Sequence, residues 1–176
     1  MDKNENIIEK SIVDMVVAST KYCAFIEQID ALNETQIVEF LLKICPLLYV
    51  KGNILPVVEC EDNSAYEQYV TEEQYEVVLL SLKNKLEKID SFSFYDISSS
   101  ENITLSVSEL LADVYQDLKD LILLYGKGLH DSQKAAIALC KENFEQNWGW
   151  KLSILLPYLH QLAFPKRIEE NEEIYW

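Results

Sequence analysis

Glycine, arginine and histidine are scarce in this chain of 176 residues, and each scarcity removes a class of chemistry. The four glycines (Gly52, Gly126, Gly128 and Gly149) spell neither a Walker loop nor a dinucleotide fingerprint. Gly126-Lys127-Gly128 follows a helical pattern with no strand before it, so it reads as a helix C-cap and turn rather than a phosphate cradle. A single arginine, Arg167, leaves almost no bidentate recognition of phosphate or carboxylate groups. The two histidines, His130 and His160, stand in no H-E-x-x-H pattern, and no G-x-S-x-G occurs. His160 reads as a hydrogen-bonded histidine at the core edge, and His130 as an exposed one.

Cysteine is equally uninformative as a site. Cys23, Cys45, Cys60 and Cys140 are scattered without a C-x-x-C, which favours a reducing compartment over a disulfide framework or zinc site. No apolar run approaches the ~18 residues of a membrane span, and the first five residues form no basic signal region. The cytoplasm is therefore the expected location, with no membrane partner. Thirty acidic against fifteen basic residues give a net charge of −15 and argue against nucleic acid, which needs a basic face.

What is present is helical periodicity. Apolar residues recur at three and four over 7–29. Asn33 with Gln36 forms a capping box opening a helix over 34–50, with Pro46 expected to kink it. Residues 51–70 read as an acidic, tyrosine-bearing connection. Thr71 with Gln74 opens a helix to about residue 90. The serine-rich stretch 91–104 reads as an ordered loop pinned by Phe92, Phe94, Tyr95 and Ile97, with room for a short extended piece. Ser106, with Glu109 as its capping partner, opens a helix to Tyr125. A fifth helix starts near Asp131 or Ser132 and passes Asn147, and a sixth stretch bends at Pro157 and ends near Ala163. The expectation is an all-α single domain over residues 1–166, a bundle of about six helices with long ordered loops, and an acidic tail over 167–176 in which Tyr175 and Trp176 have the means to dock.

One feature of this pattern points toward chemistry. Glu109, Asp113, Asp117 and Asp120 fall within an arc of about 80° on one helix, with no Lys or Arg at i±3 or i±4. Like charges four apart repel, and Asp120 lies at the unfavourable end of the helix dipole. Glu109 is explained as a capping partner; the other three are not. Helices joined by the turn at Gly128 pack antiparallel, which puts Asp117 level with Cys140 and Asp113 level with Phe144. Lys141 and Glu145 share a side with Trp148. Three readings follow: a solvated face, an ion pair to Lys141, or a hard-cation site. The last takes Asp113, Asp117, Asp120 and Glu145 as metal ligands, where Mg²⁺ or Mn²⁺ would suit the all-oxygen donors; otherwise no cofactor is expected.

Aromatic residues supply the second feature. Phe144, Trp148, Leu152, Leu155, Leu159 and Leu162 step by three and four as a core seam. Gly149 within that seam is best explained by close approach of another helix, at a helix-propensity cost of about 1 kcal/mol. Trp150 falls on the opposite side and, with Tyr66, Tyr69, Phe94 and Tyr95, forms the candidate binding surface.

Three segments together carry a resemblance: Val70-Thr71-Glu72-Glu73-Gln74, the run L-A-D-V-Y-Q-D-L-K-D from Leu111 to Asp120, and Asn147-Trp148-Gly149. In these the chain resembles the bacterial family called domain of unknown function 5063, over most of its length. The resemblance implies a small, soluble, mostly helical protein and carries over no catalytic residue. Members often place His before Trp-Gly, where this chain has Asn147. The leading expectation is a non-enzymatic protein-interaction module. The rival is a Mg²⁺- or Mn²⁺-dependent hydrolase of a phosphorylated small molecule, with its carboxylates between the fourth and fifth helices.

Overall fold

Two reciprocal caps begin helices where the sequence places them. In the computed structural model, which describes residues 3–59 and 69–165, α1 covers Lys3–Ile26 and a single 3-10 turn follows at Ile29–Ala31. Asn33 Oδ1 then accepts from the Gln36 N–H at 2.9 Å while Gln36 Oε1 accepts from the Asn33 N–H at 3.0 Å, opening α2 at Glu34–Asn53. Thr71 and Gln74 exchange the same two bonds at 3.2 Å each and open α3 at Glu72–Leu86. Cys60, Tyr66 and the acidic tail over 167–176 lie outside the described residues.

The stretch expected as a loop is a β-hairpin, so the all-α expectation is corrected to a mostly helical bundle with a small sheet. β1 (Ser91–Asp96) and β2 (Glu101–Ser106) pair antiparallel, with Phe92 opposite Leu105 and Phe94 opposite Ile103. Ser-Phe-Ser-Phe has the period of two that a half-buried strand needs, which the serine content disguised. The Asp96 carboxylate closes the turn by accepting from the Ser98 N–H and hydroxyl and the Ser99 hydroxyl. Those bonds hold its pKa below the ordinary value.

An isolated hairpin is only marginally stable. This one is seated by Phe92, which stacks on Tyr158 at 4.7 Å, and by Asp90 just before it. Asp90 Oδ1 accepts from the Ser108 N–H at 2.7 Å and its carbonyl accepts from the Val107 N–H at 2.6 Å, so one residue clamps both ends of the hairpin.

Beyond the hairpin, α4 (Val107–Tyr125) packs against α1, α3 and α5 (His130–Asn143). The chain then passes through one widened, π-type turn at Phe144–Trp148 directly into α6 (Gly149–Ala163). Buried side chains of all six helices join one core, in which Trp148, Tyr22 and Met15 are the largest fully enclosed groups. Tyr22 ties α1 to α4 by donating its hydroxyl to the Leu111 carbonyl at 2.8 Å.

The widened turn explains two glycines. A Cβ on Gly149 would lie 2.5 Å from the Phe144 carbonyl oxygen and 2.7 Å from its ring, so Gly149 serves the turn itself rather than the approach of another helix. That close approach occurs at Gly52, where a Cβ would lie 2.4 Å from the Trp148 ring and 2.6 Å from that of Phe144. Gly52→Ala should therefore destabilise the fold by about 1–3 kcal/mol through overpacking, despite the better helix propensity of alanine. Urea denaturation checks this; a variant as stable as the parent would overturn the contact.

Candidate functional site

The run from Leu111 to Asp120 builds the densest polar constellation in the described residues. Leu111, Val114, Leu118 and Leu121 fill the core face of α4, which leaves the acids on its flank, level with the neighbouring elements. Asp113 accepts from the Tyr75 hydroxyl of α3 at 2.7 Å and pairs with Lys151 of α6 at 2.6 Å. Asp117 accepts from the amide nitrogens of Asn143 at 2.9 Å and Asn147 at 2.8 Å, one on each carboxylate oxygen. Asp120, only 7% exposed, accepts from the backbone N–H groups of Tyr69 at 3.0 Å and Val70 at 2.9 Å. Glu109 pairs with Lys83 of α3 at 3.0 Å.

These partners replace two expectations. Glu109 is half of a cap only: Ser106 Oγ accepts from its N–H at 3.2 Å, while its carboxylate goes to Lys83. Lys141 does not neutralise the stripe. It donates to the Asn53 carbonyl at 2.9 Å, at the end of α2, and pairs with Glu145 at 3.3 Å. Lys141, Glu145 and Trp148 do share a side, as the spacing requires, but that side faces α2. The cation that reaches Asp113 is Lys151.

The widened turn is the physical reason that Lys151 reaches the stripe. Along an α-helix each four-residue step drifts by about 40°. A turn with i→i+5 bonding takes back part of that drift. Asn143, Asn147 and Lys151, four apart, therefore all remain turned toward α4.

Burial acts on this constellation unevenly. It pushes the Asp117 carboxyl up to about 6, against the Asn147 hydrogen bond and Lys151, with Asp120 and Asp113 adding to the rise. Burial also raises Asp120, offset by the Val70 and Tyr69 N–H groups. Cys140 beside Asp117 is pushed well above the ordinary thiol range by burial, which leaves it a packing residue rather than a nucleophile.

As a metal centre the expected set does not assemble. Among the described residues no three His, Cys, Asp or Glu side chains are grouped as a metal site requires. Glu145 turns away to Lys141, and Asp113, Asp117 and Asp120 each hold a different neighbour.

The candidate aromatic surface is likewise divided. Phe94 and Trp150 meet edge to face at 6.1 Å, with Trp150 half exposed. Tyr95 lies on the outer face of the hairpin, and Tyr69 stands by Asp120 with Lys127 over its ring at 4.6 Å. Tyr66 is outside the described residues.

A feature the sequence reading missed is an open groove of about 1200 Å³ between α2 and α6. Val38 and Leu42 on α2 face Leu156, Leu162 and Phe164 across it. His160 lies here, exposed and tilted against the Phe164 ring at 4.9 Å, not hydrogen-bonded at the core edge. The signal was the Val38–Leu42 step of four, which reads equally well as core.

The Asp117 shift carries a pH dependence. Its folded pKa lies above the ordinary carboxylate value, so the protonated form favours the folded state. That contribution is complete below about pH 4 and is lost as pH rises through about 6. Asp120 acts in the same direction. The melting temperature should fall between pH 4.5 and pH 7, and the fall should be shallower in Asp117→Asn. Equal slopes in the two proteins would exclude Asp117 as the source.

In Asp120→Ala the buried Val70 N–H and the part-buried Tyr69 N–H lose their acceptor, at a cost of about 1–3 kcal/mol for the buried one. The expected result is faster hydrogen exchange at Tyr69 and Val70. Unchanged exchange there would overturn the assignment.

No match is found among curated proteins. The crystal structure of protein BF1032 from Bacteroides fragilis, a structural genomics target, is 34% identical. The likeness covers 92% of this chain and 98% of that one, with a TM-score of 0.81. A family described as domain of unknown function (DUF5063) matches residues 6–164, from α1 through the acidic run and Asn147-Trp148-Gly149 to the end of α6. With nine-tenths of its length inside that match, the chain belongs to the domain of unknown function 5063 family.

Proposed function

We propose that this chain is a non-enzymatic module that binds another protein through the groove between α2 and α6. The observation that carries the reading is the groove itself: an open, apolar-floored channel bounded by two rigid helices. Leu156 and Phe164 stand on it without belonging to the core, and Phe164 is 63% exposed. Helical grooves of this form receive the apolar face of a partner helix. No helix among the described residues is long and apolar enough to cross a membrane, and the acidic charge disfavours nucleic acid. A cytoplasmic location is part of the same proposal, since the three described cysteines are free thiols.

The rival reading, a Mg²⁺- or Mn²⁺-dependent hydrolase, needs carboxylate oxygens to spare. Those of Asp113 and Asp117 are already held by Tyr75, Lys151, Asn143 and Asn147, which supports binding over catalysis. Two measurements on the full chain separate the readings. A stoichiometric partner retained at native expression should be released by Leu156→Gln with Phe164→Gln and kept by Trp150→Ala. Retention of that partner by the groove variant would overturn the proposal. So would a melting temperature raised by millimolar Mg²⁺ or Mn²⁺ in the parent but not in Asp117→Asn.

A further inference from the structure

We infer that the partner seated in the α2–α6 groove is a basic amphipathic helix; this rests on the groove reading above and specifies its ligand. The length fits a helix: the walls run over residues 34–43 of α2 and 153–164 at α6, about 15 and 18 Å, or three turns. The floor fits its apolar seam, since Val38 and Leu42 are one turn apart and face Leu156, Leu162 and Phe164.

Charge selects the flanks. Glu34 and Glu39 line the same groove and lie on either side of Val38 and Leu42 around the α2 axis. Glu39 is exposed, and neither carboxylate is hydrogen-bonded or ion-paired among the described residues. They thus differ from the acids of α4, all of which are engaged. Lys43 lies one turn beyond Glu39 without pairing with it, and with His160 on the opposite wall the α2 lining still carries two carboxylates against one lysine. A ligand carrying Lys or Arg beside its apolar seam would satisfy both carboxylates and be drawn in by the net charge of −15.

The two other occupants are disfavoured by the same charges. A second copy of the chain brings −15 of its own. The residues following Pro165 begin with Lys166 and Arg167, but Glu169, Glu170, Glu172 and Glu173 beyond them leave the segment net acidic, like in sign to Glu34 and Glu39.

The test titrates the full chain with two labelled synthetic helices of about 18 residues, long enough to hold helical structure. Both have a leucine seam, one with lysine flanks and one with glutamate flanks. The lysine peptide should bind one to one and saturably, about tenfold tighter than the glutamate peptide. Leu156→Gln with Phe164→Gln should weaken it about tenfold. Glu34→Gln with Glu39→Gln should weaken it several-fold and flatten its salt dependence, each variant keeping the parent's near-ultraviolet dichroism.

Five results would overturn the inference. Binding unchanged in the groove variant would mean diffuse surface attraction, and equal binding of both peptides would remove the charge selection. Absence of saturation would be the outcome if residues after Pro165 occupy the groove. A dimer dissolved by Leu156→Gln in sedimentation would make a second copy the occupant. If the lysine peptide fails while the groove variant still releases the native partner, the basic helix falls and the interaction module stands.

Discussion

A half-buried carboxylate between α4, α5 and α6 sets the terms for much of this structure. Burial presses the Asp117 carboxyl toward its neutral form, and two amide nitrogens, one for each oxygen, counter that pressure. To aim both amides at one carboxylate, Asn143 and Asn147 must lie on the same line along the helix. A regular α-helix would rotate the second away; the widened turn at Phe144–Trp148 keeps them aligned. The turn then dictates its own surroundings. Its Phe144 ring and carbonyl crowd the space at Gly149, and its two aromatic rings press on α2 so closely that position 52 admits no side chain. A polar requirement on one face of α5–α6 is thus coupled to a steric requirement on the other.

The remaining acids extend the same principle along α4. Asp113 reaches α3 and α6, Asp120 reaches the backbone entering α3, and Glu109 reaches α3 near its C-terminal end. The apolar face of α4 fastens it to the core without direction, because hydrophobic burial is non-directional. The acids add direction, since each has a specific donor on a specific element. Mutual repulsion along the stripe is offset by donors from outside the helix. The exposed Glu109–Lys83 pair contributes little to this, about 0–1 kcal/mol by the usual range for surface pairs, while the bonds to Asp117 and Asp120 are sheltered from water.

Local signals carried the helices into the sequence legibly. Asn33/Gln36 and Thr71/Gln74 are complete within four residues, so a linear reading finds them. The Ser-Phe-Ser-Phe strand was equally local but was outweighed by its serine content, and its partner Ile103–Leu105 lies beyond a turn closed by Asp96. The acidic stripe was legible as an anomaly; its resolution was not. Helical spacing correctly put Asp117 beside the end of α5, yet it chose Lys141 over Lys151, because spacing assumes 3.6 residues per turn throughout. One widened turn shifts the facing of every residue after it, Lys151 included, while Lys141 lies before it on the side of α5 that meets α2. The groove was invisible for a different reason: Val38 and Leu42 have the pattern of core, and only the placement of α6 decides how much of them water reaches.

The acids of the fold and the acids of the groove differ in what is left over. On α4 every carboxylate is engaged by a donor of the same chain, so a metal or substrate would have to displace an existing bond. On α2 the capping box is completed by Asn33 and Gln36, which leaves the carboxylate of Glu34, in the first turn, without a hydrogen bond among the described residues. Glu39, a turn further on, is equally unengaged among the described residues. Recognition needs groups whose bonding capacity the fold has not consumed, next to apolar area that water still wets. Glu34 and Glu39 meet both conditions beside the apolar floor of the groove between α2 and α6, which is why the proposed recognition is placed there and not on the α4 side of the bundle.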